Sequence, residues 1–440
     1  MRSVAGSSRT PTATPLAVLL LAVLSTLAGC GTGMEALMPT PAVFTETGLE
    51  PLAHIPPDER WTPRRVYYVT TRERDRNLQR IDYTNTPSDK TSMGMALIEF
   101  GGPTFSWEDL NQASTTTERE HVVKLSTAGI LEAGRFPAAS SPDQVARPDR
   151  AGWLVRELNE SIETSRDKDI LIYVHGAKVN FYNACAFAAQ LDHFMGRDMT
   201  SMAFSWPTRQ NILAYGLGSD VDRAYASAPR LASMIETLAS QTSARRIHVL
   251  CWSAGARLTT AALTELRARS PDDSLDEVRR RLRIGTVYFA AADVPTAEFV
   301  EALPTIHGIS GRIVATVSSN DSALIYASRF MGGGGRIGQA GNTFTDEQRA
   351  MIESLERLEI IDLSRNSESR GFDITGHNYW FDHPWASSDA LLSIRTDFPP
   401  LERGLSQGDS PVHWYMPADY IERLRASLED ARFLRWTDDG

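Results

Sequence analysis

The sequence predicts an α/β fold in which a mostly parallel central sheet carries helices on both faces. Three observations lead there. After Pro148 short runs rich in Val, Ile and Leu recur, amphipathic stretches separate them, and polar or glycine-containing turns follow the runs. The chain has 440 residues, 42% hydrophobic and 23% charged, enough to bury a sizeable core.

The elements follow in chain order. Residues 64–71 and 95–100 are β-rich and read as early antiparallel strands, while 101–148 is polar and reads as an irregular surface excursion. The alternation begins with an amphipathic helix at 151–162. Residues 170–174, Ile-Leu-Ile-Tyr-Val, form a continuous apolar run of the kind buried on both faces of a parallel sheet. Helices at 183–195, 220–239 and 254–269 then alternate with strands at 201–205 and 246–250, and further strands fall at 286–290, 312–317 and 358–362. This is the pattern of one doubly wound domain, assigned to residues 64–398, with a C-terminal loop and helix at 399–440 packed on it.

The first residues have a different character. Arg2 and Arg9 precede an apolar run over 16–27 that is too short to span a bilayer comfortably. The run ends in Leu27-Ala28-Gly29-Cys30, which resembles the bacterial lipobox, so 1–29 is expected to be a lipoprotein signal peptide and Cys30 the lipid anchor. The resemblance implies export and, since Gly31 rather than an acid follows the cysteine, the outer membrane of a Gram-negative cell. Residues 30–63, rich in Pro, Thr, Gly and Glu, read as a flexible tether. Only Cys185 and Cys251 remain in the mature chain, too few for a disulfide framework, and both sit in apolar patterns as small buried residues.

Charge narrows the function. A formal net charge of −10 supplies no field for nucleic acid. The basic run Arg279, Arg280, Arg281, Arg283 follows Asp276 and Glu277 and reads as a solvated helix face. There is no His-Glu-x-x-His, and the glycine run beginning at Gly332 lacks the Gly-Lys-Ser/Thr ending of a phosphate loop, so neither metal nor cofactor is expected. The sequence names no protein partner.

In an α/β sheet, reactive groups collect just past the carboxyl ends of the strands. There, Cys251-Trp252-Ser253-Ala254-Gly255 links a strand to a helix. A serine on a strained strand-to-helix turn needs small residues two before and two after it, and Cys251 and Gly255 meet that need. Two other serines share the spacing, Ser406 in Gly404-Leu405-Ser406-Gln407-Gly408 and Ser369 in Ser367-Glu368-Ser369-Arg370-Gly371. Both lie in loop-like sequence without the strand and helix. Ser253 is therefore the candidate nucleophile. His175-Gly176-Ala177-Lys178 follows the 170–174 run, and a tight turn at Gly176 makes the amides of Ala177 and Ala254 oxyanion-hole candidates. His175 precedes the serine, in an order this arrangement does not use, and reads as structural. Asp321, after the 312–317 strand, and His377, in Gly376-His377-Asn378-Tyr379, complete the order Ser-Asp-His. Asp293 and His383 are their rivals at this point.

Together Tyr173-Val174-His175-Gly176, Ser205-Trp206-Pro207, the serine turn, Ser319-Asn320-Asp321-Ser322-Ala323-Leu324 and Gly376-His377-Asn378-Tyr379 resemble a family of bacterial α/β-hydrolases, largely uncharacterised and often described as esterase- or lipase-like. The resemblance covers roughly 65–395. It implies the α/β-hydrolase fold and the triad Ser253, Asp321 and His377; such a triad is expected to act on a small-molecule ester or similar acyl substrate, with the membrane met only through the lipid anchor. Two departures stand out: Ala177-Lys178 where members usually have Tyr-Asn, and Trp252 where they have His. Lys178 and Trp252 beside the site favour the opposing expectation, a non-catalytic envelope lipoprotein that uses the fold for binding or scaffolding.

Overall fold

A computed structural model describes residues 35–76, 81–137, 150–209, 218–331, 334–364 and 377–429. The strands are β1 (Glu35–Ala36), β2 (Arg64–Arg74), β3 (Tyr83–Phe100), β4 (Lys124–Pro137), β5 (Ile170–Val174), β6 (Thr200–Ser205), β7 (Ile247–Trp252), β8 (Ile284–Ala290), β9 (Ser310–Val317), β10 (Leu358–Asp362), β11 (Ser406–Gln407) and β12 (His413–Tyr415). The helices are α1 (Ala42–Thr45), α2 (Trp107–Ala113), α3 (Arg150–Thr164), α4 (Phe181–Phe194), α5 (Ser219–Gln241), α6 (Gly255–Ala268), α7 (Leu275–Leu282), α8 (Thr296–Ile309), α9 (Ser322–Phe330), α10 (Asp346–Glu353), α11 (Tyr379–Asp382), α12 (Pro384–Arg395) and α13 (Tyr420–Glu429).

Among the described residues the strands form one sheet in the order β1-β4-β3-β2-β6-β5-β7-β8-β9-β10-β12-β11. From β2 through β6, β5, β7, β8, β9 and β10 to β12 every neighbouring pair is parallel. The antiparallel pairs lie toward the two margins. Strand β5 is buried along its whole length, as expected for a strand covered on both faces. One core layer, with Tyr173, Phe187 and Trp252, lies on the α4 and α12 face; a second, with Ile172, Leu158 and Leu263, lies on the α3, α5 and α6 face.

Three expectations need correction. The excursion over 101–148 is instead structured over much of its length: α2 starts at a reciprocal Ser106–Asp109 cap, and β4 pairs with β3 along most of its length. Register shifts at Met93/Gly94 and Leu97/Ile98 break the in-out alternation, which is why β4 carries no readable period. The tether over 30–63 is, from residue 35, part of the fold. Leu37, Met38, Val43 and Phe44 are buried, Met38 N–H donates to Gln190 Oε1 at 2.7 Å and Val43 N–H to Ser388 Oγ at 2.9 Å. Two isolated apolar pairs fix this segment, and pairs carry no periodicity. Finally, the loop and helix over 399–440 includes β11 and β12, which extend the sheet beyond β10, so Ser406 lies in an edge strand and not in a loop. Arg403, buried, ties this region down through Asp389 (2.8 Å) and Glu359 (2.6 Å). Cys30 and the rest of 1–34 lie outside the described residues.

Candidate active site

Strand β7 ends at Trp252, helix α6 begins at Gly255, and the turn between them holds Ser253 at φ 52°, a left-handed conformation that costs a non-glycine residue about 1–2 kcal/mol. The surrounding backbone imposes it. Ser253 N–H donates to Ala290 O (3.0 Å), and Ser253 O accepts from Ala256 N–H (3.0 Å) and Asp293 N–H (3.1 Å). The turn presses on the end of β5: a Cβ on Gly255 would lie 2.6 Å from both Val174 O and His175 O, and one on Gly176 would lie 3.1 Å from Ser253 Cβ. Small residues are required there because strand, turn and helix meet backbone to backbone.

Asp321 ends the loop after β9 and caps α9, its Oδ1 accepting Leu324 N–H at 3.0 Å. Its other oxygen, Oδ2, is 2.7 Å from His377 Nδ1, and His377 Nε2 is 2.8 Å from Ser253 Oγ. The carboxylate can only accept, so Nδ1 carries the proton and Nε2 is free to take one from the serine hydroxyl. Asp321 is fully buried and Ser253 is 7% exposed. The structure thus joins three residues 124 positions apart in chain into one hydrogen-bonded line.

The rivals are placed elsewhere. Asp293, past the end of β8, is buried and turned toward arginines: its Oδ1 accepts from Arg336 Nε (2.6 Å) and Arg257 Nη2 (3.2 Å). Burial raises its carboxyl to about 6, with the Arg336 guanidinium opposing. His383 caps α12, its Nδ1 accepting Trp385 N–H at 3.2 Å. Ser406 is bonded by Arg423 in the edge strand, and Ser369 lies outside the described residues.

His175 is structural. Its Nδ1 donates to Gly176 O (2.7 Å), its Nε2 accepts Trp206 N–H (3.1 Å), and its ring stacks on Trp206 at 5.4 Å. Burial, helped by the nearby Arg72 charge, pushes its pKa down to about 3, so it stays neutral. Neither Ala177 N–H nor Ala254 N–H has an acceptor among the described residues, as befits donors kept for a ligand. Trp252 packs against the His377 ring at 5.8 Å and joins Phe187 and Phe381 in an aromatic wall. Among the described residues the buried indole N–H groups of Trp252 and Trp380 have no partner.

Arg257 and Arg336 were not among the residues the sequence marked. Arg257 lies four residues after Ser253, one helical turn along α6, which is a readable signal. Arg336 comes from the loop after α9, and no local pattern points to it. Cys185 and Cys251 are buried free thiols.

A family model described as an alpha/beta hydrolase of unknown function (DUF900) matches residues 153–395, more than half of the chain. No curated protein matches it significantly.

Proposed function

Since the chain belongs to this α/β-hydrolase family, we propose that it is a serine hydrolase that cleaves a carboxylic ester or similar acyl compound through an acyl-enzyme. The observation that carries the reading is the line Asp321–His377–Ser253, with spacings of 2.7 and 2.8 Å, ending at a serine in a strained turn. In this mechanism Ser253 Oγ attacks the acyl carbonyl while His377 Nε2 takes its proton. Asp321 holds the ring in the productive tautomer and stabilises the imidazolium. The oxyanion is received by the amides of Ala177 and Ala254. His377 then protonates the leaving group, and water attacks the acyl-enzyme by the same route in reverse. With Asp321 buried and the Trp252 ring packed on His377, these charges are partly shielded from water.

A fluorophosphonate probe tests this without knowledge of the substrate. Labelling of wild type that disappears in Ser253→Ala is the expected result. Folded wild type that does not label would favour the scaffolding role, for which the Trp252 ring against His377 is the supporting observation.

The placement of the enzyme is part of the same proposal. Lipidation of Cys30 would hold it on the outer membrane, and each buried CH₂ of the acyl chains contributes about 0.8 kcal/mol to that attachment. Among the described residues no helix is long and apolar enough to cross a membrane. Palmitate incorporation in vivo that is lost in Cys30→Ser is the expected outcome.

A further inference from the structure

Strand β2 pairs with β6 up to Thr70, opposite Ser205, and then shifts register against β3 on both sides of Arg72. A bulge re-aims the side chain it carries, and Arg72 is fully buried. Its guanidinium donates from Nε to Ser205 Oγ (2.9 Å), from Nη1 to Asn85 Oδ1 (2.6 Å) and from Nη2 to Val179 O (2.6 Å), and Nη2 also lies 3.5 Å from His175 Nε2. None of these partners is a carboxylate, whereas the buried Arg336 rests on Asp293 and the buried Arg403 on Asp389 and Glu359. Burial lowers the Arg72 pKa to about 9, against the pull of Cys185 and Asp220 through space. A buried cation without a counter-ion costs stability, so its place here is explained by what it holds.

What it holds is the turn from His175 to Val179 that follows β5. At the far end Val179 O accepts from Arg72 Nη2 and from Thr208 Oγ1 (2.9 Å). Between the ends Lys178 is left-handed at φ 63°, a strain of about 1–2 kcal/mol that fixed ends must maintain. At the near end Trp206 Nε1 donates to His175 O (2.7 Å) and Trp206 N–H to His175 Nε2 (3.1 Å). Nε2 is therefore an acceptor, and Nδ1 carries the proton that it gives to Gly176 O at 2.7 Å. The Arg72 charge beside Nε2 opposes a second proton there. Gly176 O and Ala177 N–H belong to one trans peptide, in which the two groups point in opposite directions. Fixing the oxygen on His175 thus fixes the Ala177 N–H, and a carbonyl that accepts a hydrogen bond strengthens its own amide as a donor.

We propose that Arg72 is a positioning residue for the oxyanion hole: from β2 it pins the turn at Val179 O and keeps His175 in the tautomer that orients the Gly176–Ala177 peptide. The role rests on the hydrolase reading of Ser253. Arg72 lies outside residues 153–395, the part of the chain that the family model matches.

Arg72→Lys keeps the charge and loses the fork. Two measurements test it. The first needs no activity: with glycine labelled at its carbonyl carbon and alanine at nitrogen, the two Gly-Ala bonds of the chain, Gly176–Ala177 and Gly255–Ala256, are the bonds that report in the NMR spectrum. The Gly176–Ala177 resonance should move and that of Gly255–Ala256, on the serine turn, should stay. The second is the rate of fluorophosphonate labelling against probe concentration and pH. The maximal rate should fall by about 10²-fold, as for a lost oxyanion donor, with the half-saturating concentration and the pH midpoint set by His377 unchanged. Thr208→Val removes the other donor to Val179 O and leaves the guanidinium in place, so it covers the case in which Arg72→Lys does not fold; there the same pattern should appear with a loss of about tenfold. A folded variant whose Gly176–Ala177 resonance is unmoved overturns the proposal, as does one that labels at the wild-type maximal rate. Movement of both resonances, or a shifted pH midpoint, would mark a general disturbance of the site and overturn it too. Wild type that never labels would defeat the hydrolase reading, while the resonances still decide whether Arg72 orients the peptide.

Discussion

Gly255→Ala adds one methyl group, and the structure sets what it meets. The new Cβ would stand 2.6 Å from two carbonyl oxygens, Val174 O and His175 O, where ordinary contact begins at 3.4 Å, so something must withdraw by about 0.8 Å. Neither side gives way easily. Val174 is held between β6 and β7, and Gly255 opens the helix whose preceding turn carries Ser253. Overpacking of this kind costs about 1–3 kcal/mol of stability. The displacement falls on the serine turn, and a misplacement near 1 Å lowers a reaction by about 10²-fold. Gly176→Ala is the milder comparison, since its Cβ would meet Ser253 Cβ at 3.1 Å, the Trp252 ring at 3.2 Å and Trp252 O at 3.3 Å, contacts that a few tenths of an ångström relieve. Urea unfolding and the rate of fluorophosphonate labelling, measured on both variants, should rank Gly255→Ala well below Gly176→Ala. A Gly255→Ala protein with the wild-type urea midpoint and labelling rate would refute the claim that backbone contact fixes the nucleophile.

Further outcomes follow from the same geometry. Asp321→Asn should lower ester turnover by about 10⁴-fold by favouring the wrong His377 tautomer, whereas Asp293→Asn should not; the reverse ranking in steady-state assays would move the acid to Asp293. Asp169 is buried, which works to raise its pKa, but His248, Arg245 and the charge of Arg246 hold it well below the ordinary value. Its stabilisation is therefore present above the unfolded pKa of about 3.9 and lost as pH falls below it, so Asp169→Asn should flatten the acid limb of stability in urea midpoints taken down the pH scale. Asp293 has the opposite sign: raised to about 6, it makes stability fall as pH rises from near its unfolded value toward 6 and level off beyond. Arg403→Met would strand the buried Asp389 carboxylate and leave Glu359 with Arg312 alone, and should cost about 3–5 kcal/mol in equilibrium unfolding.

Legibility in the sequence followed periodicity and local chemistry. Strands buried on both faces, such as 170–174, announced themselves as unbroken apolar runs, and the serine turn was readable because close backbone contact restricts residues on both sides of it. Where two signals interfered, reading failed. The bulges in β3 and β4 reverse the alternation midway, and β11 and β12 are too short to show any period. At the site, Asp321 and Asp293 are equivalent in sequence, each an acid past the end of a strand. Only the third dimension separates them, since Arg336 comes from 43 residues further along the chain to occupy Asp293. Leu37, Met38, Val43 and Phe44 pack through partners such as Gln190 and Ser388 that no local window contains.

The choice between enzyme and scaffold turns on strain and on where donors are left free. Holding Ser253 in the left-handed region costs energy that a binding surface has no use for, and three backbone hydrogen bonds are committed to keeping it there. Among the described residues the same turn leaves the Ala254 amide without an acceptor, and the facing β5 turn leaves that of Ala177 without one. A scaffold would gain stability by relaxing the serine and satisfying those amides. An acyl-transfer site needs both features at once, because the strain exposes the hydroxyl to His377 and the free amides meet charge only when it develops on the substrate. Trp252 against His377 is compatible with that economy: an aromatic ring excludes water from the relay without offering it a competing acceptor.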